Sequence, residues 1–432
     1  MSHTHLDKIQ AVNLGSFYTP STIVQIAQTM LLNALHKAGV KPKDCVLLDS
    51  SCGYGNFLDF SGFDFSGADF GNAVESASIT TQNFALDSSH FVRKIGIDID
   101  KKAIEIAKNN FAHKNATNTK SHAKQDFTKP QHTKQRKLQN PPKSTTQNPP
   151  LFLHQNALQN VSRKHFKIPH NATLAIIGNP PYNDKTSIVQ HKLKDKTYAL
   201  DSHLKCRDIG ASFLLSFNEL QADFICVLHP LSYLIKETNF RALKAFFTHY
   251  ALLDSLVISS RIFTPKSLSF FPIVIALYTR KKTPKTLDFS TIKSHRFYTI
   301  EGKNFALNDF DFIAKYIDKY PNKSRVQDCK AVALFYTLRD INALRRSKTF
   351  LAKPTTNAIN VSREKFSLYC YVDVFKQMIE RVPYYLGNCD IFIDLQAFKI
   401  LESEFVECAK TKIITPQITR YFERLLGEHY AD

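Results

Sequence analysis

The sequence predicts an α/β fold: a doubly wound, Rossmann-like sheet followed by a smaller C-terminal region that is α+β or mostly helical. Two observations predict it. Short apolar runs alternate with segments of helical periodicity through most of the chain. Glycine is scarce, 13 in 432 residues, and ten of the 13 precede residue 211, where backbone shape must require them. The predicted strands are residues 45–49, 94–100, 151–154, 173–178, 223–228 and 272–278. The predicted helices of this part are residues 21–38, capped by Ser21, and 101–110, capped by Asp100.

Two stretches interrupt this alternation and one change of composition divides the chain. Residues 60–90 are rich in Gly, Ser, Asp and Phe, and residues 112–150 are rich in Lys, Gln, Asn, Thr and Pro, so both are predicted insertions. Periodicity weakens after Pro284. We therefore expect one domain over residues 1–290 and a second region over residues 291–432, with helical stretches at 373–380 and 395–408.

Charge and composition narrow the class of protein. Lys and Arg exceed Asp and Glu by 57 to 38, a net charge of +19, which favours a polyanionic partner. Residues 101–170 alone contribute a surplus of 12 positive charges. No apolar run reaches the roughly 18–20 residues that span a bilayer, and residues 1–10 are too polar for a signal peptide. Eight cysteines without a CxxC pair predict reduced thiols and no metal site. A cytoplasmic protein is expected.

The tetrapeptide Asn179-Pro180-Pro181-Tyr182 carries the clearest chemical signal. Asn-Pro-Pro also occurs at residues 140–142 and 148–150, but only the third copy follows a predicted strand and precedes an aromatic residue. An aromatic amino group is a poor nucleophile because its lone pair is conjugated with the ring. The carboxamide oxygen of Asn179 and the main-chain carbonyl of Pro180 can accept its two N–H bonds. Pro180 and Pro181 stiffen the loop, and Tyr182 offers a flat face for an unstacked base.

A second group of residues predicts a nucleotide-like cofactor. Asp49 ends the first strand and is followed by Gly53 and Gly55, a spacing that lets the backbone approach a ligand closely. Asp98 ends the second strand, where an acid commonly accepts two ribose hydroxyls. The interval from Gly55 to Asp98 is longer than usual, and the insertion at 60–90 accounts for the excess.

With these residues, the chain resembles the S-adenosylmethionine-dependent adenine-N6 DNA methyltransferases of the gamma group, the NPPY-type methylases of restriction-modification systems. The resemblance covers roughly residues 14–282. It implies that Tyr18, Thr19 and Pro20 contact the methionine part of the cofactor. It also implies that Asp49, Gly53 and Gly55 form the first cofactor-binding motif. It further implies that Asp98 binds the ribose with Ile99 beside the adenine. Asn179, Pro180 and Tyr182 match the catalytic motif.

The resemblance also implies roles for residues outside these motifs. Phe263, in Arg261-Ile-Phe before the strand at 272–278, resembles a late-motif Phe that helps to hold the flipped base. The family often has Asp at the end of the third strand, against the cofactor adenine. Here Asn156 is favoured for that contact, with Asp126 as the alternative. Residues 291–432 would be the target-recognition region.

The expected function is methyl transfer from S-adenosylmethionine to N6 of a flipped adenine in double-stranded DNA, without a metal, in a chain that pairs with a cognate restriction endonuclease. The alternative is a methyltransferase of a protein glutamine amide or an rRNA guanine amino group, which presents the same unreactive planar nitrogen. A cytosine-C5 enzyme would typically need a cysteine after proline, and the chain has no Pro-Cys pair.

Overall fold

The computed structural model describes residues 19–60, 91–122, 149–182, 199–263, 270–321 and 330–431, without the side chains of 114–122. Most of the two predicted insertions therefore lies outside the described residues. So do two predicted cofactor contacts, Tyr18 and the alternative Asp126.

The described residues form a large sheet with the strand order β3-β2-β1-β4-β5-β7-β6-β8-β9. The first five strands are parallel, and β7 lies antiparallel between β5 and β6. The chain winds outwards in opposite directions from β1 and β4, so the predicted doubly wound sheet is confirmed. The strands are β1 (Cys45–Asp49), β2 (Arg93–Asp98), β3 (Leu151–His154), β4 (Thr173–Gly178), β5 (Phe224–Pro230), β6 (Tyr250–Ser259), β7 (Pro272–Arg280), β8 (Phe297–Thr299) and β9 (Asn304–Phe305).

Helices cover both faces of the sheet, and a buried apolar cluster lies on each face. Strands β1 and β4 are almost wholly buried, as expected for parallel strands covered on both sides. The helices are α1 (Ser21–Lys37), α2 (Lys101–His122), α3 (Ile209–Glu219), α4 (Ser232–Ile235), α5 (Glu237–Ala242), α6 (Lys244–His249), α7 (Phe289–Ser294), α8 (Ile341–Arg346), α9 (Phe366–Gln377), α10 (Leu395–Ile400), α11 (Glu402–Thr411) and α12 (Pro416–Leu426).

Helix α1 begins differently from the prediction. Ser21 was expected to cap it, but Pro20 occupies the N-cap position and no side chain caps the first turn. The carbonyl of Pro20 accepts the N–H groups of Ile23 and Val24 at 3.0 and 3.1 Å. A proline at this point has a fixed φ and no N–H to satisfy, so it starts the helix without a side-chain cap.

Strand β6 was not expected from the sequence. Its apolar residues are interrupted by Asp254 and Ser255, which hide the pattern of a buried strand. A β-bulge between Leu252 and Asp254 shifts the pairing with β7 at this point. The strand nevertheless matters for the site, because its carboxyl end leads to Arg261 and Phe263.

The C-terminal region contains helices α8 to α12 and a small sheet of β10 (Ala333–Tyr336), β11 (Phe350–Leu351) and β12 (Ala358–Val361). Its α+β character and its predicted helical stretches are confirmed. Strands β8 and β9 extend the large sheet past residue 290, and one apolar cluster includes both Val46 of β1 and Leu426 of α12. The division at residue 290 stays a prediction.

None of the described helices is long and apolar enough to cross a bilayer. The described residues hold no cluster of three His, Cys, Asp or Glu side chains suited to a metal ion.

Candidate active site at the carboxyl edge of the sheet

The first pair of the site lies where β1 and β4 run side by side. Asp49 ends β1 with 1% of its surface exposed, and Gly178 ends the neighbouring β4. A Cβ atom on Gly178 would lie 2.6 Å from Oδ1 of Asp49. Only glycine lets the carboxylate lie so close to the β4 backbone. This contact marks the point where the winding of the sheet reverses, which is where ligands bind in open α/β sheets.

The Asp49 carboxyl group is only partly satisfied. Its Oδ1 accepts the N–H of Ser51 at 3.1 Å, while its buried Oδ2 has no partner among the described residues. Burial raises the pKa of Asp49 to about 8, the Ser51 N–H opposes that rise, and the negative charge of Asp98 adds to it. A cation bound next to this buried carboxyl group would lower its pKa and so restore its ionised form.

Asp98 connects the end of β2 to the glycine turn. Its Oδ2 accepts the N–H of Gly53 at 2.8 Å, and its Oδ1 accepts the N–H of Asp100 at 2.8 Å. Burial raises the pKa of Asp98, and these N–H groups oppose the rise. Gly53 and Gly55 have φ values of +50° and +84°, so the turn needs glycine at both positions.

The residues that flank Asp98 also have clear roles. Asp100 caps α2 as predicted, accepting the N–H groups of Lys102 and Ala103 at 2.9 and 3.3 Å. Ile99 is 47% exposed, unusual for an isoleucine directly after a buried strand. An exposed apolar face beside the Asp98 carboxylate is suited to a flat aromatic ring.

At the end of β3 the structure presents a residue that the sequence reasoning missed. The predicted contact Asn156 is engaged with the backbone: its amide donates to the carbonyl of Ala199 and its Oδ1 accepts the N–H of Leu158 at 3.0 Å. Gln155 precedes it and donates its own N–H to the carbonyl of Asp98 at 3.0 Å. The Oε1 atom of Gln155 is buried without a partner in the described part of the chain. The sequence feature that could have identified Gln155 is its position directly after an apolar strand.

The predicted catalytic motif begins directly after β4. Nδ2 of Asn179 donates to Oγ1 of Thr19 at 3.2 Å, and Oδ1 of Asn179 is buried with no described atom to pair with it. Thr19 is 5% exposed and comes from the segment predicted to bind the cofactor. The structure thus brings two predicted site residues, 160 positions apart, into direct contact.

Tyr182 is the last residue of this tetrapeptide. It is 8% exposed, and burial raises the pKa of its hydroxyl, while a hydrogen bond from Asn179 opposes that rise. Among the described residues, the ring of Phe271 contacts Tyr182 edge-on, with centroids 6.4 Å apart. The predicted base contact Phe263 is half-buried against the same apolar cluster. Both phenylalanines flank the β6–β7 connection, whose ends lie at the carboxyl edge.

A buried polar chain, also not predicted from the sequence, supports this loop. Asp208 caps α3 through the N–H of Gly210 at 2.8 Å and accepts the hydroxyl of Tyr233. The ring of Tyr233 stacks on His229 at 5.2 Å, and Nε2 of His229 hydrogen-bonds the hydroxyl of Tyr278 at 2.7 Å. Burial lowers the pKa of His229 to about 4, so this imidazole is neutral at physiological pH.

Most of the unsatisfied buried polar atoms of the described residues lie at this edge. Six buried side-chain N or O atoms in the described part of the chain have no partner, and four of them belong to Asp49, Ser51, Gln155 and Asn179. Buried polar atoms are normally paired, so a group of orphaned acceptors at one edge predicts a ligand rich in N–H and O–H donors. S-adenosylmethionine, with its ammonium, ribose and adenine amino groups, fits this donor–acceptor pattern.

One comparison with known families returns a match over part of the chain. Residues 94–263 match the family model of the Eco57I restriction-modification methylases. The match confirms the resemblance inferred from the sequence. It supports a methyltransferase of the restriction-modification type, and methylases of this family use S-adenosylmethionine, the predicted cofactor.

Solved structures are similar to the chain at low identity. The DrdV–DNA complex is 15% identical, with a TM-score of 0.35, over 68% of this chain and 28% of that one. A type I restriction-modification methyltransferase subunit from Streptococcus thermophilus is 11% identical, with a TM-score of 0.34, over 90% of this chain and 57% of that one. No curated protein matches the chain.

Proposed function

We propose that the protein is a site-specific DNA methyltransferase that transfers a methyl group from S-adenosylmethionine to N6 of an adenine extruded from the double helix. The observation that carries this proposal is the Asn179 side chain: its nitrogen is held by Thr19, and its buried oxygen at the carboxyl edge has no partner among the described residues. An unpaired buried acceptor costs free energy unless it serves a ligand.

Asn179 and Pro180 act on the target nitrogen. The Asn179 Oδ1 and the Pro180 carbonyl accept the two N–H bonds of the adenine amino group. These contacts strengthen as positive charge develops on the nitrogen, so they favour the transition state over the ground state. Thr19 fixes the carboxamide in the required orientation, so little reorganisation is needed when the base arrives.

Aromatic rings hold the extruded base. Tyr182 presents one face, and either Phe263, from the resemblance, or Phe271, from its contact with Tyr182, presents the other. Stacking of a base on an aromatic side chain is worth about 1–3 kcal/mol, enough to offset part of the cost of unstacking.

The cofactor residues are the ones predicted from the sequence, with one addition. When bound, S-adenosylmethionine supplies an electrophilic methyl group on a sulfonium. Asp49, Thr19 and Pro20 would hold its methionine part, together with Tyr18 from outside the described residues. Asp98, Gly53 and Gly55 would hold the ribose. Ile99 and Asn156 would contact the adenine, and Gln155 adds an unpaired acceptor near them.

The basic chain fits double-stranded DNA as the substrate. A net charge of +19 favours phosphate backbones, and residues 291–432 would select the target sequence. A cognate restriction endonuclease would be the functional partner, in the cytoplasm of the cell that carries both.

The test is Asn179→Ala, assayed by incorporation of labelled methyl groups into DNA of mixed sequence. We expect kcat to fall at least about 100-fold, since one preorganised polar contact to the transition state is worth that much. Calorimetry should show cofactor binding within about twofold of the wild type, because the carboxamide acts on the target base. Asn171→Ala, which changes an exposed amide just before β4, is the matched control and should keep full activity.

The same assay separates DNA from the alternative substrates. Digestion of the product should release N6-methyladenine. Transfer to ribosomal RNA or to a protein glutamine, with none to DNA, would contradict the proposal and favour the alternative enzyme class. Near-normal DNA methylation by Asn179→Ala would contradict the catalytic assignment.

A further inference from the structure

A stacked group of two arginines and one phenylalanine lies at the carboxyl edge, next to the Phe271 ring that contacts Tyr182. The guanidinium carbon of Arg261 lies 3.9 Å from the centroid of the Phe270 ring. The guanidinium carbon of Arg345, in α8 of the C-terminal region, lies 5.8 Å from the same centroid. We call these three residues the arginine stack. The ring of Phe270 thus links the loop after β6 to the C-terminal region.

The position of the arginine stack relative to Tyr182 follows from two contacts. Phe270 directly precedes Phe271, whose ring contacts Tyr182 of the catalytic motif at 6.4 Å. Phe271 is also held to Ser260, through its N–H to Ser260 Oγ at 2.9 Å and its carbonyl to the Ser260 N–H at 3.0 Å. Arg261 follows Ser260. The arginine stack is therefore adjacent in sequence to both Ser260 and Phe271, and Phe271 contacts Tyr182.

The two arginines differ in how their charge is satisfied. Arg345 forms an ion pair with Glu380 and donates to the carbonyl of Ile379 at 3.1 Å. Arg261 is exposed, and within the described part of the chain no acidic side chain pairs with it. Stacking on Phe270 covers one face of the Arg261 guanidinium group. Its N–H groups, which lie along the edge of that plane, then point away from the ring. An orientation of this kind suits a planar, bidentate contact with a phosphate group.

We propose that Arg261, held against Phe270, binds a backbone phosphate of the DNA strand next to the extruded adenine. This inference rests on the proposed function. Arg345 contacts the same Phe270 ring and belongs to the C-terminal region. The phosphate contact therefore also fixes the position of the C-terminal region relative to the same DNA strand. A contact to a phosphate positions the duplex without reading its sequence. Arg261 is therefore a positioning residue, whose loss weakens binding to every DNA sequence alike.

The test compares Arg261→Gln, Arg261→Lys and Phe270→Leu with the wild type in binding to a labelled duplex of random sequence over a range of salt concentrations. For Arg261→Gln we expect roughly tenfold weaker binding and a log–log salt slope shallower by about 0.9, the change for one lost phosphate contact. Arg261→Lys keeps the charge and should keep the slope, with weaker binding because the stacked fork is lost. Phe270→Leu should weaken binding in the same direction as Arg261→Gln.

The control is Lys43→Gln, because Lys43 is an exposed cation just before β1, at the amino edge of the sheet and so opposite the candidate site. Its salt slope and affinity should equal those of the wild type. An unchanged slope in Arg261→Gln, with wild-type DNA methylation intact, would overturn this inference alone. Absence of DNA methylation in the wild type would instead overturn the proposed function.

Discussion

The carboxylate of Asp98 accepts the backbone N–H of Gly53 at 2.8 Å, and this bond joins the end of β2 to the glycine turn that follows β1. The two residues are 45 positions apart, with a predicted insertion between them. A second contact runs parallel to it, from the N–H of Cys52 to the carbonyl of Ile97 at 2.9 Å. The shape of the turn therefore depends on the acid, as well as on its glycines.

Asp98→Asn tests the double role of this acid. The amide keeps one oxygen for the Gly53 N–H but loses the charge, so we expect S-adenosylmethionine to bind roughly 10- to 150-fold more weakly, equivalent to about 1.5–3 kcal/mol for a charged hydrogen bond. Calorimetry measures the change. Asp100→Ala is the control: it removes the cap of α2, costs about 1 kcal/mol of stability, and should leave cofactor affinity unchanged. Equal affinities in Asp98→Asn and the wild type would move the ribose contact to another residue.

The raised pKa of Asp49 predicts a pH dependence of stability. Burial raises the pKa of this carboxyl from its ordinary 3.8 to about 8 in the folded chain. Between these values the folded state binds more protons than the unfolded state, so stability falls as the pH rises through this window. The contribution of Asp49 to the slope is at most about 1.4 kcal/mol per pH unit.

Urea unfolding of the wild type and of Asp49→Asn, from about pH 5 to about pH 9, isolates this contribution. The amide in the variant cannot titrate. The difference in stability between the two proteins should therefore shift in favour of the variant until the pH passes about 8, and then stay constant. Parallel stability curves across the whole range would show that Asp49 is ionised in the folded protein.

The closeness of β1 and β4 predicts the effect of Gly178→Ala. The new methyl group would meet the Asp49 carboxylate at 2.6 Å, so the edge must open. We expect a loss of about 1–3 kcal/mol in stability and at least roughly tenfold weaker cofactor binding. Gly39→Ala is the comparison, since its φ is +70° and a Cβ there meets no atom within 4 Å. That variant should lose stability only, and Gly178→Ala with normal cofactor affinity would contradict the placement of the site.

The roles of Phe263 and Phe271 in the β6–β7 connection can be separated by substitution. Because Phe271 contacts Tyr182, Phe271→Leu should reduce kcat/KM for DNA by roughly 5- to 150-fold, the value of one lost base stack. Phe263→Leu should have the smaller effect if Phe271 is the base contact. Steady-state kinetics with calorimetry of cofactor binding in both variants decides the matter. The opposite order of effects would favour Phe263, the residue chosen from the family resemblance.

Much of the fold, and the proposal of a candidate site, was accessible from the sequence because the signals are local. Apolar runs indicated β1 to β5 and β7, and the strand before Asn179 distinguished the predicted catalytic motif from two other Asn-Pro-Pro copies. Asp49 and Asp98 were predictable because parallel strands end at one edge, so their terminal acids lie close together. Strand β6 was missed because Asp254 and Ser255 interrupt its apolar pattern.

By itself, then, the sequence determined which residue types stand at the strand ends, and so the kind of chemistry available. Only the tertiary structure decided which atoms are satisfied. Thr19 holds the Asn179 nitrogen from 160 positions away, while no described residue pairs with the oxygen. Asn156 is engaged with the backbone while Gln155 presents an acceptor that no described residue satisfies. Hydrogen-bond partners over such intervals depend on how the chain packs, and a local pattern of residues contains no information about them.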